Sequence, residues 1–138
     1  MFRIIFILLV LTGCATTQTP LEVKKDGINH IKIGQYKRAK AQNNGQAVFM
    51  FSADWCEPCK IAKPILQKEA AQSGQIIFEV EVDDFRMWDK MPYKSLPTFI
   101  FSNNGKEESV KGWNEEWFLK RYRGFFTATE NQVEVKVN

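Results

Sequence analysis

The sequence predicts an α/β fold, a central mixed β-sheet of four to five strands with helices on both faces. Three observations carry this. Gln46 to Ala53 holds the unbroken apolar run Ala47-Val48-Phe49-Met50-Phe51, the pattern of a strand buried on both faces. Apolar residues then recur at Ile61, Ala62, Ile65 and Leu66, a helical spacing. Further on, Ile77, Phe78, Val80 and Val82 surround Glu79 and Glu81, the alternation of a strand.

Taken in order, Ile28 to Ile33 has apolar residues at 28, 31 and 33 and predicts a short edge strand. His30 lies within it, as a surface residue of that edge. Gln35 to Asn43 predicts a short helix ended at Asn43-Asn44-Gly45, where a left-handed conformation is tolerated. Lys37, Arg38 and Lys40 form its solvated face. The strand at 46–53 follows, then a helix over Glu57 to Ser73 closed by Gly74. Pro58 suits the first turn of that helix, and Pro64 inside it predicts a kink. Ile76 to Val82 is the next strand, and 83–92 a loop or irregular helix whose aromatics join the core. Leu96-Pro97-Thr98-Phe99-Ile100-Phe101 opens another strand. Asn103-Asn104-Gly105 is a hairpin signal, and Glu107 to Lys111 the returning strand. Trp113, Trp117, Phe118 and Tyr122 fall at helical spacing, with Asn114 as N-cap and both tryptophans packed on the sheet. The alternation Val133-Glu134-Val135-Lys136-Val137 could add a strand or belong to a frayed end.

The stretch Ser52-Ala53-Asp54-Trp55-Cys56-Glu57-Pro58-Cys59-Lys60 carries the chemistry. Two cysteines separated by two residues sit between a buried strand and a helix, the setting of a redox dithiol. Unpaired amide N–H groups and the positive end of the helix dipole there favour a thiolate on the first cysteine. The second, one turn on, can attack a mixed disulfide formed on the first. A zinc site would need two further ligands, for which the chain has only Cys14 and its single histidine, His30. A structural bridge is the other reading of the pair.

Trp55-Cys56-Glu57-Pro58-Cys59-Lys60, with Leu96-Pro97-Thr98 about forty residues later, resembles the thioredoxin superfamily over residues 28 to 123. The resemblance implies a thioredoxin fold and names roles. Cys56 is the exposed nucleophile and Cys59 the more buried resolving cysteine, forming the redox disulfide. Trp55 covers the pair. The Leu96–Pro97 peptide is cis, faces the dithiol, and offers the Leu96 backbone to an extended substrate segment. Gly112 leaves room beside the site. No cofactor or metal is implied. One departure stands out. Thioredoxins carry a buried acid six residues before the first cysteine and a lysine in the following strand; here those positions are Met50 and Glu79. Glu79 is therefore the candidate proton acceptor for Cys59, set against a solvated strand residue as the plain alternative. Between the cysteines, Glu57 opposes the Cys56 thiolate while Lys60 and the helix dipole favour it, which leans the potential toward the reducing, thioredoxin-like end.

The chain is 138 residues, 44% hydrophobic, with a net charge of +3, one domain with enough apolar bulk for a core. No run of like charge supports nucleic-acid binding. Met1-Phe2-Arg3 followed by eight apolar residues, Ile4 to Leu11, is too short to span a bilayer and suits a signal peptide. Leu11-Thr12-Gly13-Cys14 resembles the bacterial lipobox, which implies cleavage before Cys14 and its lipidation. That divides the chain into a signal peptide (1–13), a lipidated tether (14–27), the thioredoxin-like domain (28–123) and a C-terminal tail (124–138). Ala15, where an Asp would resemble an inner-membrane retention signal, leans the anchor toward the outer membrane. The sequence thus points to a lipid-anchored, monomeric thiol–disulfide oxidoreductase of the bacterial cell envelope. It would face the periplasm, act on protein disulfides and draw electrons from a membrane thiol protein. A non-catalytic binding module or metallochaperone on the same fold is the competing class.

Overall fold

A computed structural model describes residues 19–43, 46–82 and 94–133, with side chains through Thr127. The proposed signal peptide and Cys14, the Asn44-Gly45 stop, the loop at 83–92 and residues 134–138 lie outside the described residues. The elements are β1 (Ile28–Lys32), a 3-10 turn (Ile33–Gln35), α1 (Tyr36–Gln42), β2 (Ala47–Ser52), α2 (Glu57–Ser73), β3 (Ile77–Glu81), β4 (Thr98–Asn103), β5 (Lys106–Lys111) and α3 (Glu115–Val133). Among the described residues the sheet has five strands in the order β1-β3-β2-β4-β5. β1, β3 and β2 are parallel, and β4 and β5 add antiparallel.

β2 lies centrally and is buried along its whole length, which is why its sequence is apolar on both faces. On one face Val48, Met50, Ile77, Phe99 and Phe101 pack with Ala62, Leu66 and Ala70 of α2 and with Phe118, Tyr122 and Phe126 of α3. On the other, Phe49, Phe51, Phe78, Val80 and Ile100 pack with Ala39 of α1. Helices cover both faces, and this is the thioredoxin fold.

Local signals end the elements. Gly74 takes φ +66° at the end of α2, its N–H donating to the Ala70 carbonyl. Asn104 and Gly105, at φ +49° and +82°, form the two-residue turn whose twist suits a hairpin. Asn114 Oδ1 accepts from the Trp117 N–H at 2.8 Å, capping α3. Asn43 ends α1 without a left-handed backbone; its side-chain amide donates to the Ala39 carbonyl instead.

Three expectations are corrected. First, α3 does not stop near Tyr122 but passes through Gly124 to Val133, over the first part of the expected tail. Phe125 and Phe126 extend the apolar stripe onto Phe101 and Tyr122, and that burial outweighs the cost of about 1 kcal/mol for a glycine inside a helix. Secondly, Trp117 is 40% exposed. The buried stripe of α3 starts at Phe118, which contacts Phe99, Phe101 and Trp113. Thirdly, the end of the expected tether is docked. Leu21 and Val23 pack on the α1-side core, Leu21 exchanges backbone bonds with the Gln42 amide, and Asn29 Oδ1 and Nδ2 hold the backbone of Lys24.

Candidate active site

The site forms at the C-terminal end of β2, where the chain leaves the sheet and starts α2. Cys56 is the N-cap of α2, in an extended conformation. Its Sγ accepts from the Cys59 N–H at 3.3 Å, an amide of the first turn that also donates to the Cys56 carbonyl at 3.1 Å, so a helix N-terminal N–H points at the first sulfur. Cys56 and Cys59 are joined by a disulfide, their Cα atoms 5.3 Å apart. Cys59 is fully buried, and Cys56 keeps only 4% of its surface. This is less than an exposed nucleophile has. In the oxidised state the first sulfur is tied inward by its bond to Cys59.

Around the disulfide, Trp55 is half-exposed, and Ile61, two residues past Cys59, is exposed. Glu57 and Lys60 pair with each other at 2.6 Å, so the two charges expected to pull Cys56 in opposite directions partly cancel.

The Leu96–Pro97 peptide is cis. Thr98 pairs with Phe51, which puts Pro97 beside the end of β2 that leads to Cys56. Gly112 follows β5 at φ +84°, and its N–H donates to the Pro97 carbonyl at 2.8 Å. Among the described residues a Cβ at Gly112 would meet no atom within 4 Å. The glycine thus borders open space and also braces the cis segment from behind.

Glu79 is not a solvated strand residue. It is buried, flanked in the sheet by Met50 of β2 and His30 of β1, on the face covered by α2. Its Oε1 accepts from the Ser52 hydroxyl and pairs with Lys63 Nζ at 2.5 Å. Its Oε2 faces His30 Nδ1 at 2.6 Å. Lys63 stands four residues after Cys59 and therefore one turn along the same helix stripe. A carboxylate taken out of water is costly unless paired and hydrogen-bonded; here three side chains from three elements do both. Sequence reasoning singles out Glu79 but not Lys63 or Ser52, and treats His30 as a surface residue. The i+4 spacing from Cys59 is the one signal that could have found Lys63. Nothing local reports strand register.

A second polar cluster ties α2 to α3. The Tyr122 hydroxyl lies 2.6 Å from Ser73 Oγ, and Arg123 Nη2 donates to Glu69 Oε1 at 3.0 Å. Burial pushes the Tyr122 hydroxyl above its ordinary value of 10.0; the Ser73 hydrogen bond lowers it and the nearby Glu69 charge raises it further. Among the described residues no group of three or more His, Cys, Asp or Glu side chains is placed to hold a metal ion, and no helix is long and apolar enough to cross a membrane.

Comparison with known proteins agrees with this geometry. The thioredoxin family model matches residues 28–122. Thioredoxin of Gallus gallus is 38% identical over 80 residues, covering 56% of this chain and 76% of that protein. Thioredoxin-2 of Saccharomyces cerevisiae is 36% identical over 75 residues, covering 53% and 72%. The crystal structure of thioredoxin from Trypanosoma brucei brucei superposes with a TM-score of 0.63 at 22% identity, over 78% of this chain and 97% of that one.

Proposed function

This chain belongs to the thioredoxin family and is a thiol–disulfide oxidoreductase acting on protein thiols and disulfides; from that premise we propose that it is a lipid-anchored reductase of the bacterial cell envelope. The observation that carries the chemistry is the disulfide at the head of α2, with the Cys59 N–H aimed at Cys56 Sγ. The leader and Leu11-Thr12-Gly13-Cys14 support the anchor on Cys14 and the periplasmic face. Ala15 favours the outer membrane.

In the proposed cycle the reduced protein meets a client disulfide at the open face beside Leu96, Pro97 and Gly112. The backbone of Leu96 pairs with the extended client chain, and Trp55 shields the sulfurs from water. The Cys56 thiolate attacks one client sulfur, forming a mixed disulfide and releasing the other sulfur as a thiolate. Cys59 then attacks Cys56 Sγ. The Cys56–Cys59 bond forms, the bond to the client breaks, and the client leaves with both sulfurs reduced. A membrane thiol protein returns two electrons to the pair. Cys59 must lose its proton to attack, and Glu79 accepts it. The acid and the lysine that thioredoxins place on two strands are here Glu79 on β3 and Lys63 on α2, with Met50 filling the vacated strand position.

Full-length Cys59→Ser, produced in a Gram-negative host, tests the reading, because it stalls at the mixed disulfide. The membrane fraction should hold dithiothreitol-sensitive adducts with envelope proteins, and adding Cys14→Ser should release the protein to the soluble periplasm. Soluble, adduct-free protein, together with wild-type protein inactive in insulin reduction, would refute it.

A further inference from the structure

The two oxygens of Glu79 are engaged differently. Oε1 is held by Ser52 and Lys63, and Oε2 by His30 alone among the described side chains. The Glu79 side chain is 4% exposed and that of His30 is 71% exposed. The imidazole therefore stands between a carboxylate sealed under α2 and open water. Of the three partners, the Lys63 ammonium and the Ser52 hydroxyl can donate to the carboxylate, but neither takes up a further proton near neutral pH; an imidazole does.

We propose that His30 is the proton-exchange residue of the resolving step, passing to solvent the proton that Glu79 takes from Cys59. This rests on the reading of Glu79 as proton acceptor and extends it. The steps balance. Cys59 S–H gives its proton to the Glu79 carboxylate as its sulfur bonds to Cys56 Sγ and the client sulfur leaves. Protonated Glu79 passes that proton from Oε2 to the bare Nδ1 of a neutral His30 carrying its proton on Nε2. The imidazolium loses the Nε2 proton to water, leaving Nδ1–H to donate to the Glu79 carboxylate across the 2.6 Å contact. Before the next transfer the exposed ring swings into water, exchanges its proton from Nδ1 to Nε2 through solvent, and returns with Nδ1 bare as Glu79 is protonated again. Lys63 stays charged throughout and draws the carboxylate back to its anionic form. The charges facing His30 are Glu79 on β3, Lys63 on α2, and the Lys32–Glu81 pair two residues further along the same strands.

Single-turnover closure of the Cys56–Cys59 disulfide, measured on reduced full-length protein mixed with insulin from pH 5 to 9, tests this. Glu79→Gln, His30→Asn and His30→Ala are compared, and Cys56 attack on a small disulfide is followed separately. Closure should slow about tenfold in both His30 variants, less than the 10²-fold or more of a proton-transfer group touching the reacting atom, because water reaches the vacated site. Cys56 attack should be unchanged, and added imidazole should restore closure in His30→Ala. A merely structural histidine would not be replaced by free imidazole. His30 is exposed on an edge strand, so both variants should fold, as thermal denaturation will verify. If Glu79→Gln is slow while the His30 variants close normally, or if imidazole restores nothing, the relay is overturned and the Glu79 reading stands. Normal closure in Glu79→Gln overturns both.

Discussion

Replacing Gly112 with alanine should lower stability by about 1–2 kcal/mol, the cost of holding an L-residue with a side chain in the left-handed region. Gly112 sits at φ +84°. Because a Cβ there would meet no atom of the described residues within 4 Å, no clash with them adds to the backbone term. The chain could escape by rotating to negative φ, but that would break the 2.8 Å bond from the Gly112 N–H to the Pro97 carbonyl, a loss of about 1 kcal/mol. It would also disturb the ladder directly before it, where Lys111 pairs with Thr98. The two routes cost about the same, and the ladder favours keeping the strain. In a domain of this size about 1 kcal/mol corresponds to roughly 4 °C in Tm, so the melting temperature should fall by about 4–8 °C. Gly112→Asn should recover part of the loss, since asparagine tolerates this region. Gly34→Ala is the control. Gly34 has no positive φ and open space around it, and its replacement should change stability by less than about 0.5 kcal/mol. Circular dichroism melts of the three variants decide the matter. A Gly112→Ala protein as stable as its parent, or a Gly34→Ala protein equally damaged, would refute the backbone argument.

Two further outcomes follow from the same geometry. Tyr122 has its hydroxyl pushed above 10.0 by burial. Below that value both states keep the proton. Above it the unfolded chain releases the proton first, so stability should fall as pH rises past about 10. Tyr122→Phe should show a shallower alkaline loss in urea titrations at pH 9 and 11, and identical slopes would contradict the assignment. Glu57→Gln removes the partner of Lys60 and leaves an uncompensated positive charge near Cys56. The thiolate should be favoured and the potential should move from the reducing end near about −270 mV toward the oxidising end. The shift should be about 10–30 mV, since both side chains are half or more exposed and 30 mV corresponds to about 1.4 kcal/mol. Equilibration against glutathione measures it, and a shift to more negative values would reverse the charge argument.

Features that depend on a few adjacent residues are legible in the sequence. The strand at the centre of the sheet shows itself because a strand covered on both faces has no polar side. The bounds of α2, Glu57 to Ser73, follow from Pro58 in its first turn and Gly74 after its last, and the β4–β5 hairpin follows from Asn104-Gly105. The disulfide at the head of α2 is legible for the same reason: two cysteines three apart in a helix start cannot be far from each other. The length of α3 is not legible in this way. Gly124 is a local stop signal, and the rings of Phe125 and Phe126 overrule it only when Phe101 and Tyr122 are there to receive them.

The identity of the residues around Glu79 belongs with the length of α3. Alternation places Glu79 in a strand but does not say what flanks it, and the same spacing serves a buried or a solvated side chain equally well. Its surroundings follow from β3 lying between β1 and β2 in a register that aligns His30, Glu79 and Met50, with Lys63 brought down from α2. Strand order and register are chosen by burying apolar area between segments tens of residues apart, a sum over the whole core that no short stretch of chain encodes. Local rules placed the sulfurs; the assembly of the sheet chose the groups that surround the buried carboxylate.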